Sequence, residues 1–326
     1  MPTEWLPLKK GDIIQVIAPS SKTPNPDEDL IQARKFLDHW GLQVRISDCI
    51  FGEDRNFPNL ANTDACRFED LKNSLIAPEV KAIWCIRGGY GAIRLIKSLR
   101  QLPQPSNQPA KLFIGFSDIT LLHIYLRQVW DWNTIHSFSL TQAMHNAIAP
   151  DDVEKLRQLI FGEKRKTVLD DLTPMNNCAS KKLHIESEVT GGNLTLLSRT
   201  LNRENVSEQF LTSGRIVVME DIDEPFRKVD GILQQLALDN FFITYKPAAV
   251  ILGDFSINNP SEQNQVDNAL AEFALQLESQ KIPVLRCLNI GHGRSNHPLP
   301  FGPKAKLSLG KKPMLSIESG AKLTTL

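Results

Sequence analysis

The sequence predicts a two-domain α/β protein, in which a mostly parallel sheet flanked by helices is followed by a smaller, β-rich C-terminal domain. Three observations lead to this prediction. The chain has 326 residues, which is long for a single hydrophobic core. Its first half alternates strand-like and helix-like segments, a pattern typical of βαβ units and a parallel sheet. From about residue 184 onward, short strand-like runs become frequent.

The predicted first domain covers residues 1–162 and begins with a strand from Asp12 to Ala18. This β-branched run ends in a turn at Pro19-Ser20-Ser21. Apolar residues at helical spacing predict a helix from Asp29 to Trp40, and Gly41 stands where a C-cap glycine belongs. The same criteria predict strands at Leu42 to Ile46, Val80 to Ile86 and Leu112 to Gly115, and helices at Asp64 to Leu75, Ala92 to Leu99, Ile119 to Trp130 and 151–162.

A polar segment, 163–183, is predicted to link the two domains. The second domain, 184–326, is predicted to contain helices at Asn193 to Leu201 and Val229 to Asp239. Its predicted strands are Arg215 to Met219, Ala248 to Leu252, Val284 to Leu288, Lys306 to Leu309 and Pro313 to Ile317.

Charge and cysteine content exclude several classes of function. Lys plus Arg equals Asp plus Glu at 37 each, so the formal net charge is zero, which argues against nucleic acid or an anionic membrane as the main partner. The five cysteines are odd in number and form no C-x-x-C, so neither a disulfide framework nor a zinc ribbon is predicted. We therefore expect no metal and no other cofactor.

The start of the chain and its apolar runs bear on its location. The segment from Met1 to Lys10 does not resemble a signal peptide. No apolar stretch approaches the roughly 20 residues that a membrane helix needs. We expect a cytoplasmic protein.

The segment Gly115-Phe116-Ser117-Asp118 places a serine where a predicted strand turns into a helix. Amide groups at the start of the helix could stabilise an oxyanion near the serine oxygen. The segment resembles a nucleophile elbow but differs from G-x-S-x-G, because residue 119 is Ile. The residues alone leave two interpretations open: Ser117 is a nucleophile, or Ser117 or Asp118 is only the N-cap of the helix.

A glycine-rich loop, Arg87-Gly88-Gly89-Tyr90-Gly91, follows another predicted strand. Its backbone could approach a ligand closely and donate amide hydrogen bonds to an oxyanion or a carboxylate. It lacks the lysine and the spacing of phosphate-binding loops. A tight turn between strand and helix is the alternative interpretation.

A serine nucleophile needs a base and a carboxylate that orients the base. His292 lies between two glycines after the strand Val284 to Leu288, and His136 is a reserve candidate. Glu220 is the first residue after the apolar run Arg215 to Met219, although an acidic run such as 220–224 is usually a solvated surface loop. These residues give the chain order Ser, Glu, His.

The chain resembles the murein LD-carboxypeptidases, a family of serine peptidases that includes the microcin-immunity peptidases. The resemblance runs over nearly the whole length. The segments that carry it are Gly11-Asp12 with Ala18-Pro19-Ser20-Ser21, Arg87 to Gly91, Gly115 to Thr120, Gly191-Gly192-Asn193-Leu194, Glu220-Asp221-Ile222 with Val229-Asp230, and Gly291-His292-Gly293 with Leu299-Pro300-Phe301-Gly302.

The resemblance implies a catalytic triad that is divided between the two domains. Ser117 would be the nucleophile, His292 the general base, and Glu220 the residue that orients His292. The oxyanion would be held by backbone amides of Asp118 and of the Gly88-Gly89 pair. Arg87 and nearby amides are candidates for binding the substrate's terminal carboxylate.

The resemblance also implies a reaction and an assembly. The reaction is hydrolysis of the amide between an L-centre, lysine or diaminopimelate, and the terminal D-alanine of a murein tetrapeptide, in cytoplasmic peptidoglycan recycling. The resemblance implies that the chain pairs as a homodimer. The implied partners are therefore a second copy of the chain and a small peptide substrate, with no nucleic acid and no membrane.

Three departures from the family pattern concern the substrate more than the triad. The segment Ile135-His136-Ser137 replaces a common H-G-P, Asp230-Gly231 replaces a common Asp-Arg, and Phe116 replaces a common Tyr. Two alternatives therefore stay open. One is a related serine peptidase acting on another acyl amide, such as a microcin-type peptidyl-nucleotide. The other is a non-catalytic two-domain ligand-binding protein.

Overall fold

The computed structural model describes residues 4–105, 109–199, 213–238 and 241–320, which divide into two compact units. Unit 1 is formed by the described parts of Met1–Arg165, Pro298–Phe301 and Ser319–Leu326. Unit 2 is formed by the described parts of Lys166–His297 and Gly302–Glu318. Each unit has its own sheet with accompanying helices, so the predicted two-domain α/β fold is confirmed.

The elements of the described residues follow in chain order. The strands are β1 (Ile13–Ile17), β2 (Gln43–Ile46), β3 (Val80–Cys85), β4 (Leu112–Gly115), β5 (Thr134–His136), β6 (Lys166–Leu169), β7 (Thr173–Pro174), β8 (His184–Asn193), β9 (Ile216–Glu220), β10 (Ala249–Leu252), β11 (Val284–Arg286), β12 (Leu299–Phe301), β13 (Lys304–Ser308) and β14 (Met314–Glu318). The α-helices are α1 (Pro26–His39), α2 (Asp64–Ile76), α3 (Ile96–Leu99), α4 (Thr120–Val129), α5 (Leu140–Met144), α6 (Pro150–Ile160), α7 (Asn177–Ser180), α8 (Leu194–Ser198), α9 (Phe226–Leu238), α10 (Phe241–Tyr245) and α11 (Pro260–Ser279). Short 3₁₀ helices lie at Asp48–Phe51, Ala92–Leu95 and Ser117–Ile119.

The sheet of unit 1 has six strands in the order β12-β5-β4-β3-β1-β2. Its strands run parallel except β12, which pairs antiparallel with β5. The carboxyl ends of β1, β3 and β4 therefore lie at one edge, where they are followed by residues 19–21, 87–91 and 116–118.

The first helix shows why the periodic segments could be predicted. α1 starts with Pro26 and has three acidic residues in its first turn, which suits the positive end of a helix dipole. Its buried face includes Leu30, Ala33 and Leu37. Gly41 follows the C-cap with a φ of 76°, the left-handed conformation in which glycine carries no steric penalty.

The core of unit 1 is centred on Trp84 of β3. Its ring stacks on Trp40 with a centroid distance of 5.9 Å and packs against Phe138 at 6.1 Å. The buried indole N–H donates to the carbonyl oxygen of Phe138 at 3.1 Å. The one polar atom of this large side chain is therefore paired, which avoids the cost of an unsatisfied buried donor.

The sheet of unit 2 has eight strands in the order β6-β14-β13-β8-β9-β10-β11-β7. Its centre, β8 to β11, is parallel, and the outer strands pair antiparallel. β9 ends at Glu220, β10 is followed by Gly253, and β11 leads into the loop that carries His292. The carboxyl ends of these neighbouring strands form the edge that positions the second set of candidate residues.

The structure differs from the sequence prediction at the segment 163–183. Instead of a linker, most of this segment belongs to unit 2 and contains β6, β7 and α7. β6 pairs with β14 and β7 with β11, both at the sheet edges. Strands this short contain no apolar run that would predict them from the sequence. They form because they hydrogen-bond to a neighbouring strand of the sheet. Unit 1 in turn includes β12, through its pairing with β5.

Two long elements were absent from the sequence prediction. β8 has ten residues and α11 has twenty. Of the predicted helix Asn193 to Leu201, residues 200 and 201 lie outside the described residues, as does Asp239 at the end of another predicted helix. The predicted helix Ala92 to Leu99 is a 3₁₀ helix followed by α3.

Three further findings concern chemistry and membranes. All five cysteines are free. In the described part of the chain, no three His, Cys, Asp or Glu side chains are grouped as a metal site. Within the same ranges, no helix has both the length and the apolar character that crossing a bilayer requires.

Candidate active site

Ser117 occupies the sharp turn between β4 and the 3₁₀ helix that leads into α4. Its backbone φ is 61°, in the left-handed region that residues with a side chain rarely adopt. Holding such a residue there costs about 1–3 kcal/mol, and strain of this kind clusters at functional sites. The side chain is half-buried, so part of it faces solvent.

The helix-cap interpretation does not describe this turn. The N-cap of the 3₁₀ helix is Phe116, and that of α4 is Ile119. The carboxylate of Asp118 is buried and bonds elsewhere: its Oδ2 accepts from Ser20 Oγ at 2.6 Å and from the backbone N–H of Ala92 at 2.8 Å. Asp118 thus joins the loops that follow β1, β3 and β4.

The glycine-rich loop after β3 lies directly against Ser117. A Cβ atom built on Gly88 would stand 3.0 Å from Ser117 Cβ and 3.3 Å from Ser117 Oγ. Gly89 has a φ of 105°, and a Cβ there would be 2.3 Å from Ser21 Oγ. Gly89 requires glycine because of its left-handed φ and this contact, whereas a Cβ at Gly88 would press against Ser117.

The first loop holds the glycine-rich loop in place. The backbone N–H of Ser21 donates to the carbonyl of Gly88 at 3.3 Å, and Ser21 Oγ accepts from the N–H of Tyr90 at 3.0 Å. Half-buried Arg87 donates from Nη1 to the carbonyl of Lys22 at 2.9 Å. Unit 1 therefore brings together Ser117 and the predicted residues of the glycine-rich loop at one edge of its sheet.

Two histidines lie near Gly115, which precedes this turn: His123 contacts its carbonyl oxygen, and His136 is its partner residue on β5. His123 is buried in α4, and its Nε2 lies 2.8 Å from the carbonyl oxygen of Gly115. Burial lowers the pKa of His123 to about 3, so the ring stays neutral and donates to that carbonyl. His136, the reserve base, has no exposed surface and packs edge-on against Phe116 at a centroid distance of 6.1 Å.

The other two triad candidates lie together in unit 2. Glu220 is the last residue of β9 and is completely buried. Its Oε2 is 2.7 Å from Nδ1 of His292, whose side chain is 10% exposed. The acidic run at 220–224 is therefore not wholly a solvated surface loop, because its first carboxylate faces inward onto an imidazole.

Glycines allow this close approach. Gly291 has a φ of 135°, and a Cβ there would be 3.3 Å from Glu220 Oε2. A Cβ on Gly253 would come within 2.5 Å of the carbonyl oxygen of Ile290 and 2.9 Å of Glu220 Cβ. The backbone on both sides of the carboxylate thus packs where a larger residue would not fit.

The charges around His292 are negative. Burial lowers the pKa of His292, but the charge and hydrogen bond of Glu220, together with the charges of Asp221 and Asp254, raise it, and the net pKa lies above its usual value. Asp221 is itself buried and accepts from Asn193 Nδ2 at 2.7 Å and from the N–H of Thr195 at 2.9 Å. Burial and the neighbouring Glu220 raise the pKa of Asp221 to about 6.

Sequence reasoning missed two residues of these regions. Ser20, the hydrogen-bond partner of Asp118, lies in the predicted turn Pro19-Ser20-Ser21, but nothing in the sequence indicates that its hydroxyl faces inward. Asp254 follows the predicted strand Ala248 to Leu252 through Gly253, so its position at a strand end was an available signal.

Two family models match the chain, one in each unit. Residues 14–137 match the LD-carboxypeptidase N-terminal domain, and residues 186–307 match the LD-carboxypeptidase C-terminal domain. Among curated relatives, a putative carboxypeptidase of Rickettsia conorii is 31% identical over 93% of this chain and 90% of its own length. A probable murein peptide carboxypeptidase of Bacillus subtilis is 31% identical over 96% of this chain and 93% of its own length.

Solved structures agree with this assignment. The muramoyltetrapeptide carboxypeptidase of Oxalobacter formigenes superposes with a TM-score of 0.75 at 25% identity, covering 95% of this chain and 100% of that one. The microcin C7 self-immunity protein MccF, in complex with glutamyl sulfamoyl guanosine, has the same fold, with a TM-score of 0.79 at 19% identity over 98% of this chain and 99% of that one. The chain therefore belongs to the LD-carboxypeptidase family of serine-type hydrolases.

Proposed function

We propose that the protein is a serine LD-carboxypeptidase that removes the terminal D-alanine from a murein tetrapeptide in cytoplasmic peptidoglycan recycling. The bond cleaved is the amide between an L-centre, lysine or diaminopimelate, and D-alanine. Family membership supports this proposal, as do relatives named for murein peptides in Bacillus subtilis and Pseudomonas aeruginosa; the latter, a murein tetrapeptide carboxypeptidase, is 28% identical over 93% of this chain and 94% of its own length.

The observation that carries the proposal is the 2.7 Å contact between Glu220 Oε2 and His292 Nδ1. A buried carboxylate at this nitrogen fixes the neutral tautomer with its proton on Nδ1, which leaves the Nε2 lone pair to accept a proton. The carboxylate also stabilises the imidazolium that forms when the proton arrives. This is the chemistry of a general base rather than that of a surface histidine.

In the proposed reaction, His292 takes the proton of Ser117 Oγ while that oxygen attacks the carbonyl carbon of the scissile amide. The C–N bond then breaks, and His292 gives its proton to the amine of the departing D-alanine. Water, activated in turn by His292, attacks the ester carbonyl of the acyl-enzyme. The shortened peptide leaves, and Ser117 regains its proton.

The backbone around Ser117 supplies the remaining chemistry of the proposal. The negative oxygen of the tetrahedral intermediate would be stabilised by amide groups of Asp118 and of the Gly88-Gly89 pair. The close packing of Gly88 against Ser117 supports this role, because it puts the loop backbone beside the attacking oxygen. Arg87 and the neighbouring amides would bind the substrate's terminal carboxylate.

The direct test is the release of D-alanine from a synthetic murein tetrapeptide, with lysine or with diaminopimelate as the third residue. We expect release from both or from one of these peptides, and no release from a matched peptide that ends in L-alanine. The Ser117→Ala variant should lose activity by about 10³-fold or more. Thermal unfolding of the same variant controls for loss of folding.

Two other outcomes distinguish the alternatives. Turnover of a peptidyl-nucleotide amide without release of D-alanine would overturn the proposed substrate and support the alternative acyl amide. Failure of a fluorophosphonate probe to label Ser117, together with no turnover of any amide, would instead support a non-catalytic binding protein.

A further inference from the structure

Asp254 is a buried carboxylate that the proposed reaction does not use. Its residue is 8% exposed and follows β10 through Gly253. Its backbone N–H donates to the carbonyl of Ile290 at 2.6 Å, and its backbone carbonyl accepts from the N–H of Asp221 at 3.1 Å. Asp254 is thus tied both to the loop that carries His292 and to the residue after Glu220.

The side chain of Asp254 lies along the backbone that flanks His292. A Cβ built on Gly291 would stand 3.0 Å from Asp254 Cβ, and one built on Gly293 would stand 3.4 Å from Asp254 Oδ2. The other oxygen, Oδ1, accepts from Ser256 Oγ at 2.5 Å. The carboxylate is therefore held in one orientation, with one oxygen toward the glycine on the carboxyl side of His292.

Three carboxylates act on one imidazole in this part of unit 2. Glu220 and Asp221 come from the end of β9, and Asp254 comes from the end of β10. Each is less than one-tenth exposed. Because water screens buried charges poorly, each of them favours the protonated imidazole. Glu220 makes the direct hydrogen bond, and the other two carboxylates act on His292 through their charges.

We infer that Asp254 is a positioning residue for His292, which holds the Gly291–Gly293 loop in place and stabilises the imidazolium with a further negative charge. The role of His292 as the base rests on the proposed function. The effect of Asp254 on the ionisation of His292 does not, because that effect exists in the free protein whether or not it is an enzyme.

The test is an NMR titration of His292 in the full-length protein, with the signal assigned by its loss in the His292→Ala variant. The Asp254→Asn variant removes the charge but keeps the shape and the acceptor for Ser256 Oγ. We expect the measured pKa of His292 to fall by about 0.5 to 1.5 in this variant, as for loss of one nearby buried charge. The matched control is Asp223→Asn, at an exposed carboxylate in the loop after β9, which should move this pKa by less than about 0.2.

A second variant separates the charge of Asp254 from its hydrogen bond to Ser256. Ser256→Ala keeps the carboxylate but removes its hydrogen bond, so we expect a smaller change in the pKa of His292 than in Asp254→Asn. The inference is overturned if Asp254→Asn is folded and leaves the His292 pKa within about 0.2 of the wild-type value, or if Asp223→Asn moves it equally. If Asp254→Asn does not fold, Asp254→Ser, which also removes the charge, is titrated instead, and a His292 pKa within about 0.2 of the wild-type value overturns the inference. Absence of D-alanine release by the wild-type protein would instead contradict the proposed function and leave the titration result standing.

Discussion

The turn at Ser117 and the loop at His292 are built in different ways. Around Ser117, the backbone of the glycine-rich loop packs so closely that a Cβ built on Gly88 would lie 3.0 Å from Ser117 Cβ. Around His292, the neighbours are buried carboxylates, with Glu220 at 2.7 Å and Asp254 along the loop. The first region is specified by shape, and the second by charge.

This difference determines which substitutions each region can tolerate. A shape-specified turn should be damaged by one added methyl group, even when no charge changes. A charge-specified pair should be damaged by an uncharged residue of the same shape. Substitutions chosen on this basis test the contrast directly.

The largest effect is expected for Glu220→Gln, which preserves shape but removes charge. The amide carries no charge to stabilise the imidazolium. Its NH₂ group can also donate to Nδ1 of His292, which places the ring proton on Nε2, the nitrogen that should accept the proton of Ser117. We expect kcat/KM for D-alanine release to fall by about 10² to 10⁴. The Asp223→Asn variant, which removes an exposed charge, is the control and should keep wild-type activity.

The pH dependence of the same variant gives an independent check. His292 must be neutral to act as a base, so activity should rise with pH through its pKa. Because the pKa of His292 is raised, the acidic limb in the wild-type protein should lie above about 6.5, the ordinary value for histidine. In Glu220→Gln, the limb should move to lower pH. A limb that stays in place would contradict the assignment of His292 as the titrating base.

Much of this arrangement was predictable because apolar strands have visible ends. Ser117, Glu220 and His292 each lie at or after the end of a strand whose β-branched and aliphatic residues stand out in the sequence. Within each sheet, parallel strands then bring their carboxyl ends to one edge. Asp254 also lies just after the end of a strand. The sequence does not reveal which carboxylate after a strand faces inward, since that depends on contacts between distant segments.

The error at the predicted linker, residues 163–183, has a related physical cause. β6 and β7 lie in the segment predicted as a linker, because short edge strands owe their structure to partners far along the chain, β14 and β11. α11 is different, because its signal was local. It begins with Asn259 and Pro260 as N-cap and first residue and buries Val266, Leu270 and Phe273 along one face, so its amphipathic pattern was readable despite many polar residues.

An intermediate effect is expected for Gly88→Ala, which changes shape but not charge. Gly88 does not have a left-handed φ, so alanine is compatible with the backbone and only the steric contact changes. The new methyl group would lie 3.0 Å from Ser117 Cβ and displace the turn or the loop. We expect kcat/KM, measured by release of D-alanine, to fall by about 10- to 100-fold, because the reaction depends steeply on the position of the nucleophile. A slower reaction with a fluorophosphonate probe should accompany it, and wild-type rates in both assays would contradict the role of the Gly88 contact.

The smallest effect is expected for Gly231→Ala, which adds the same methyl group where there is space for it. Gly231 is exposed within α9, and a Cβ there meets no atom within 4 Å. Alanine in an exposed helix interior stabilises by about 0.5 to 1 kcal/mol relative to glycine, so thermal unfolding should shift slightly upward with unchanged kcat/KM. Loss of activity in Gly231→Ala without loss of stability would place α9 in substrate binding. Activity would then depend on a third region, besides the shape-specified turn at Ser117 and the charge-specified loop at His292.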